Sequence, residues 1–139
     1  MPATSTAPLQ GISSMATRQV LAELAAAWQA QGGIPVSITS VGGVDAAKRV
    51  QAGEALDVVL LASDAIDQLI ASGHAVAGTK VDWVRSSTAV AVPAGAPLPD
   101  IGSEDALKAA VLAAPTIGYS TGPSGVALLR LFERWGMAQ

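Results

Sequence analysis

The chain is 139 residues long, half of its residues are hydrophobic, 14% are charged, and the formal net charge is −3. This length and composition are typical of a globular chain with a packed core and argue against a disordered one. The eight Lys and Arg residues are scattered, which argues against a nucleic-acid partner, and the lack of cysteine excludes disulfides and thiolate metal sites.

The first ten residues are short and polar, without the basic start or apolar region of a signal peptide. No stretch reaches the roughly 18 continuous apolar residues that a membrane-spanning helix needs, so we expect no membrane insertion. The compartment stays open between the cytoplasm and a periplasmic location in which a signal has been removed.

Residues 8–75 alternate between strand and helix patterns. Three strands are predicted at 8–12, 34–39 and 56–62, and each is followed by a helix, at 15–31, 45–52 and 65–72. Ser13 or Ser14 can cap the first helix, and Ser63 with Asp64 can cap the third. The third strand is continuously apolar, as expected of a strand covered on both faces. The alternation therefore predicts an α/β fold, with a mostly parallel sheet and helices on both faces.

The second half of the chain has fewer strand patterns. A strand at 83–92 is followed by a Pro-rich exit, and Ser103 caps a helix with acidic residues in its first turn. A short strand at 116–120 and a helix at 126–135 complete the predicted elements. Because a single short strand cannot form a sheet by itself, this half needs more chain, a second copy in a homodimer, or attachment to the first sheet.

Three strand-to-helix turns are built from small residues, at 11–15, 40–44 and 120–125. Such turns gather at the carboxyl edge of a parallel sheet, where open α/β folds bind ligands. Each turn exposes unpaired N–H groups at the positive end of a helix. Any one of them is typical of an ordinary helix cap. The three turns together, with no charged residue inside them, favour a binding site for a small anion. The third turn is not a Walker A loop.

Catalytic residues are not predicted. Asp64 and Asp67 share a helix turn that is typical of a solvated helix start, and no G-x-S-x-G motif surrounds Ser13 or Ser14. The single histidine, His74, follows a helix-ending glycine and is expected on the surface. We therefore expect no enzyme activity, no metal and no cofactor.

The order and the amino-acid sequences of these segments resemble those of the molybdate-type substrate-binding proteins of ABC transporters, over residues 9–137. The matching segments are Gly11–Ala16, Leu24–Trp28 before a Gly-Ile-Pro-Val strand, Ser40–Gly43, Gln51–Val59, Leu61–Asp64, Ala89–Ala94 and Gly122–Gly125. The resemblance implies a periplasmic-binding-protein-like fold in which the first α/β lobe, 8–83, is complete. A hinge or crossover strand at 84–93 would then lead to a partial second lobe at 94–139.

The resemblance also implies a ligand site in the cleft between the lobes. Its contacts would come from Ser13 or Ser14, the N–H of Met15, Ser40, the N–H groups of Gly42 and Gly43, and the N–H of Ser124. The second turn lacks a serine that the family usually has near its two glycines. Molybdate or tungstate, another small oxyanion and an organic acid therefore all remain candidate ligands. An ABC transporter permease is the implied partner, and the periplasm is the implied location.

Two alternatives share this architecture. The effector domain of a regulator would need a fused helix-turn-helix region, for which residues 1–8 are too few. A cytosolic enzyme that uses the same cleft would need a general base, and the three turns supply none.

Overall fold

The computed structural model describes residues 7–137 and divides into two compact units, which meet in sequence between Arg85 and Ser86. The elements, in chain order, are β1 (Leu9–Ser14), a 3-10 turn (Met15–Thr17), α1 (Arg18–Ala30), β2 (Val36–Val41), α2 (Gly43–Gln51), β3 (Val58–Leu60), α3 (Ser63–Ala71), α4 (Glu104–Ala113) and α5 (Pro123–Arg134). The described part of the chain has no helix of the length and apolarity needed to cross a membrane.

The three strands form one parallel sheet in the first unit, in the order β2-β1-β3. Ile12 on the central strand lies opposite Thr39 on one side and Val59 on the other. Because all three strands run in the same direction, their carboxyl ends lie at one edge, and each leads into a helix there. The predicted α/β fold with a parallel sheet is confirmed.

The core of the first unit lies on one face of this sheet. Ile12 packs there against Ala46 and Val50 of α2 and Leu69 of α3, and all four are buried. Full burial of an aliphatic side chain such as Ile12 or Leu69 contributes about 1.5–3 kcal/mol each. This face therefore holds α2 and α3 on the sheet.

Helix α1 lies on the opposite face, where side chains of β2 point because strand residues alternate between faces. Val36 and Ile38 of β2 share a groove there with Leu21, which is the buried residue of α1. Gly11 lies on the same face of the central strand, and a Cβ on it would come within 2.9 Å of Val58 and 3.2 Å of Ile38. The sheet thus has helices on both faces, as predicted.

Two predicted helix caps in this unit are wrong. Ser14 precedes the 3-10 turn without a capping side-chain hydrogen bond, and the hydroxyl of Ser13 is bonded elsewhere. Helix α3 begins at Ser63, with Ala62 as its N-cap, so the predicted cap Ser63 is the first residue of the helix. The carboxylate of Asp64 instead accepts a hydrogen bond from the N–H of Ala65 at 3.0 Å.

The second unit contains two helices and no strand among its described residues, 86–137. The predicted cap at Ser103 is confirmed, since its Oγ accepts from the N–H of Ala106 at 3.1 Å. The strands predicted at 83–92 and 116–120 are not formed, whereas the crossover between lobes at 84–93 stays a prediction. A strand needs a neighbour for its N–H and C=O groups, and the described residues pair none with these two segments. The hinge role of 84–93 stays a prediction.

Candidate functional site

Two of the three predicted turns lie side by side at the carboxyl edge of the sheet. Ser13 of β1 is the register partner of Ser40 of β2, and their Oγ atoms are 2.7 Å apart. Ser13 also donates its hydroxyl hydrogen to the carbonyl oxygen of Ser14 at 3.0 Å. Because a serine hydroxyl has one hydrogen, Ser13 accepts the second bond and Ser40 donates it. The two turns are therefore joined by a short chain of hydroxyl groups, from Ser40 through Ser13 to the Ser14 carbonyl.

Ser13 is fully buried, whereas Ser14 and Ser40 are half-buried. In this arrangement Ser13 fixes the position of Ser40 and is closed off from solvent. Ser14 is the residue before the 3-10 turn. Its backbone is extended, and its side chain makes no capping hydrogen bond. The N–H of Met15 starts that turn and is among the groups that have no acceptor within it.

The turn after β2 presents backbone N–H groups at the start of α2. The first hydrogen bond of that helix runs from the N–H of Ala46 to the carbonyl of Gly42 at 2.9 Å. The N–H groups of Gly43 and the two residues after it therefore have no acceptor within the helix. Gly42 is exposed and Gly43 half-buried, so a ligand can approach this backbone closely.

Asp45, in the first turn of α2, was not among the predicted site residues. Its Oδ2 lies 3.5 Å from the point that a Cβ on Gly42 would occupy. A carboxylate here competes with an incoming anion for the positive end of the helix. The sequence could have indicated Asp45, because an acidic residue at the third position of a helix often interacts with the backbone N–H groups at the start of that helix.

The helix starts differ in charge. The first turns of α2, α3 and α4 contain acidic residues, whereas the 3-10 turn after β1 and the start of α5 contain none. Asp64 and Ser103 already accept hydrogen bonds at α3 and α4. The turn after β1 and the start of α5 therefore attract an added anion more strongly than α3 and α4 do.

The third predicted turn lies in the second unit. The Oγ atoms of Ser120 and Ser124 are 2.7 Å apart, and Gly122 and Pro123 begin α5. A Cβ on the buried Gly125 would overlap the carbonyl oxygen of Ser120, so the turn requires glycine there. The participation of Ser124 in one site with Ser14 and Ser40 stays a prediction.

The other titratable residues considered from the sequence have structural partners. Asp67 forms an ion pair with Lys80 at 2.7 Å, so it is not directed at Asp64. His74 is exposed, and its Nδ1 lies 2.9 Å from the hydroxyl of Ser72. Within residues 7–137, no cluster of three or more His, Cys, Asp or Glu side chains could hold a metal ion.

Comparisons with known proteins identify the family of this chain. The family model described as "Bacterial extracellular solute-binding protein" matches residues 9–139. A protein from a Pseudomonas species named aconitate isomerase is 37% identical in an alignment over 129 residues that covers 88% of this chain and 49% of that protein. The chain thus spans about half the length of that relative. No solved structure matches the chain.

These findings confirm the predicted resemblance at the level of solute-binding proteins. Neither the family description nor the relative's name mentions molybdate. The relative's name describes an enzyme, so the expectation that this chain is not one stays a prediction.

Proposed function

Because the chain belongs to the bacterial extracellular solute-binding proteins, we propose that it binds a small carboxylic acid anion at the carboxyl edge of its sheet. The observation that carries this proposal is the 2.7 Å bond between Ser13 and Ser40, which holds the turns after β1 and β2 next to each other. Both turns offer unpaired backbone N–H groups, and neither needs a cation to bind an anion.

The ligand class follows from the comparison and the donors together. Hydroxyl and N–H groups serve a carboxylate as well as an inorganic oxyanion, so they do not by themselves select molybdate. The name aconitate isomerase, on a relative that is 37% identical, favours an organic acid with carboxylate groups. Delivery to an ABC transporter permease in the periplasm, with lobes that close around residues 84–93, belongs to the same proposal.

Binding would reverse the direction of hydrogen-bond donation between Ser13 and Ser40. In the structure, Ser40 donates to Ser13 and has only lone pairs to offer. To donate to a carboxylate, Ser40 must turn its hydrogen outward while Ser13 turns its own from the Ser14 carbonyl to Ser40. One neutral hydrogen bond is exchanged for a bond to a charged group, which is roughly twice as strong.

The test is a calorimetric titration of the protein with aconitate and, separately, with molybdate. We expect aconitate to bind and Ser40→Ala to weaken it by about tenfold or more, the cost of one hydrogen bond to a charged group. Ser37→Ala on the same strand is the matched control, since Ser37 is exposed and outside the turn. Binding of molybdate alone, or equal aconitate affinity in both variants, would contradict the proposal.

A second candidate function is isomerisation of such an acid, favoured by the relative's name and by Asp45. Moving a proton between the carbon atoms of an unsaturated acid requires a base beside the bound molecule. The carboxylate of Asp45 lies beside the backbone of Gly42, where a bound acid would be held. It is therefore the candidate base at this edge of the sheet.

Proton NMR of aconitate incubated with the protein separates the two candidates. An isomerase converts the acid, and Asp45→Asn then lowers kcat by about 100-fold or more while binding is kept. A binding protein leaves the acid unchanged, and Asp45→Asn then tightens binding, because a competing negative charge is gone.

A further inference from the structure

A groove runs between α1 and β2 in the first unit, next to the proposed site. Its volume is about 490 Å³, and it is lined by Arg18, Leu21, Ala22, Ala25, Val36, Ile38 and Ser40. Pockets for small molecules usually measure about 300–1,000 Å³. Since Ser40 belongs both to the groove and to the turn after β2, a ligand held at the strand ends can extend along this groove.

The lining of the groove divides into an apolar surface and two polar side chains. Leu21, Ala22 and Ile38 are among its five aliphatic residues, and Arg18 and Ser40 are its polar ones. A ligand that matches this surface has a short carbon skeleton and polar groups at separate positions.

Arg18 is the positive charge of this region. It is exposed at the start of α1, and the ion pairs found in residues 7–137 do not include it. A second hollow, lined by Met15, Ala16, Gln19 and Ala22, also borders Arg18. Arg18 therefore borders both the groove and a hollow at the turn after β1. A guanidinium group binds a carboxylate through two parallel hydrogen bonds, which an ammonium group cannot form.

We propose that Arg18 binds a second carboxylate of the ligand, so that the site selects acids with two or more carboxylates on a short carbon skeleton. One carboxylate lies at Ser40 and the backbone of the turns, the carbon atoms lie over Ala22 and its apolar neighbours, and the other carboxylate pairs with Arg18. A compact tetrahedral oxyanion has no second group to place on Arg18. This inference rests on the proposed function and names the class of its ligand.

The experiment is calorimetric titration of wild-type protein, Arg18→Gln and Arg18→Lys with aconitate and with molybdate. Arg130→Gln is the matched control, because it removes another exposed arginine, from α5 in the second unit. We expect Arg18→Gln to weaken aconitate binding by about 10- to 100-fold, as for loss of hydrogen bonds to a charged group. Arg18→Lys should recover only part of the loss, and Arg130→Gln should bind as the wild type does.

The outcomes separate this inference from the proposed function. If the wild type does not bind aconitate, the proposed function is wrong. If the wild type binds aconitate and Arg18→Gln binds it equally well, the role of Arg18 alone is wrong. If Arg18→Gln weakens aconitate and molybdate by the same factor, Arg18 supplies only general positive charge, and selection by a second carboxylate is wrong. Because Arg18 is exposed, we expect the unliganded variant to keep the wild-type Tm.

Discussion

The two compact units differ in what holds their helices. In the first unit, α2 and α3 pack on a sheet through Ile12 and Leu69, both fully buried. In the second unit, Phe132 of α5 is the large buried side chain among the described residues. The start of α4 and the end of α5 are joined on the surface, where Glu104 accepts hydrogen bonds from Arg134 and Trp135. The comparison teaches that apolar burial stabilises the first unit. In the second unit, local turn geometry and surface contacts account for a larger share of the stability.

The largest expected effect comes from removing core volume in the first unit. Leu69→Ala leaves a cavity at a fully buried position, so we expect the free energy of unfolding to fall by about 2–5 kcal/mol. Leu129→Ala in α5 is the control, because Leu129 is 42% exposed and should cost about 1 kcal/mol or less. Urea unfolding followed by circular dichroism measures both. Equal losses would show that the contrast between the units is wrong.

A smaller effect is expected from the turn before α5. Gly125→Ala places a methyl group against the carbonyl of Ser120, which must move, at a cost of about 1–3 kcal/mol. Gly118→Ala is the matched control, since a Cβ there meets no atom within 4 Å. We expect it to stay within about 0.5 kcal/mol of wild type in the same urea experiment. If Gly125→Ala proves as harmless as the control, local turn geometry does not hold this unit.

The fold of the first unit could be predicted from the sequence, because each segment with a strand pattern also has a strand to pair with. The strands at 9–14, 36–41 and 58–60 carry apolar or β-branched residues, and each finds a parallel neighbour in the same unit. The segment 83–92 carries an equally strong strand pattern, WVRSSTAVAV, yet forms no strand. Composition reports the preference of a segment, whereas a strand also requires a partner, and no local pattern shows whether one exists.

The candidate site could be predicted only in outline. Parallel strands imply that the turns at Ser14 and Gly42 share an edge, and the register confirms that their strands are neighbours. The direction of the Ser40 hydroxyl and the burial of Ser13 depend on side-chain geometry that no motif encodes. No motif predicts the proposed role of Arg18, because that role depends on a groove shared with β2, which is distant in sequence.

The smallest expected effect is the pH dependence of the surface contact that joins α4 to α5. The indole N–H of Trp135 and the guanidinium of Arg134 each donate to Glu104 at 2.8 Å, and they hold the pKa of Glu104 below its ordinary 4.5. A lowered folded-state pKa gives stability that is present above the unfolded-state value and is lost as the pH falls through the folded-state value.

Glu104→Gln should therefore lower Tm slightly at neutral pH, and the difference from wild type should shrink below about pH 4.5. Glu54→Gln is the counterpart in the first unit, where Arg49 lowers the pKa of Glu54 through a hydrogen bond of the same kind. Glu54, Glu104 and Arg134 are exposed and Arg49 is partly exposed, so both effects should be small. If the contrast between the units holds, Glu104→Gln lowers Tm at neutral pH more than Glu54→Gln does. A larger loss from Glu54→Gln would place the more important surface contact in the first unit and reverse the comparison.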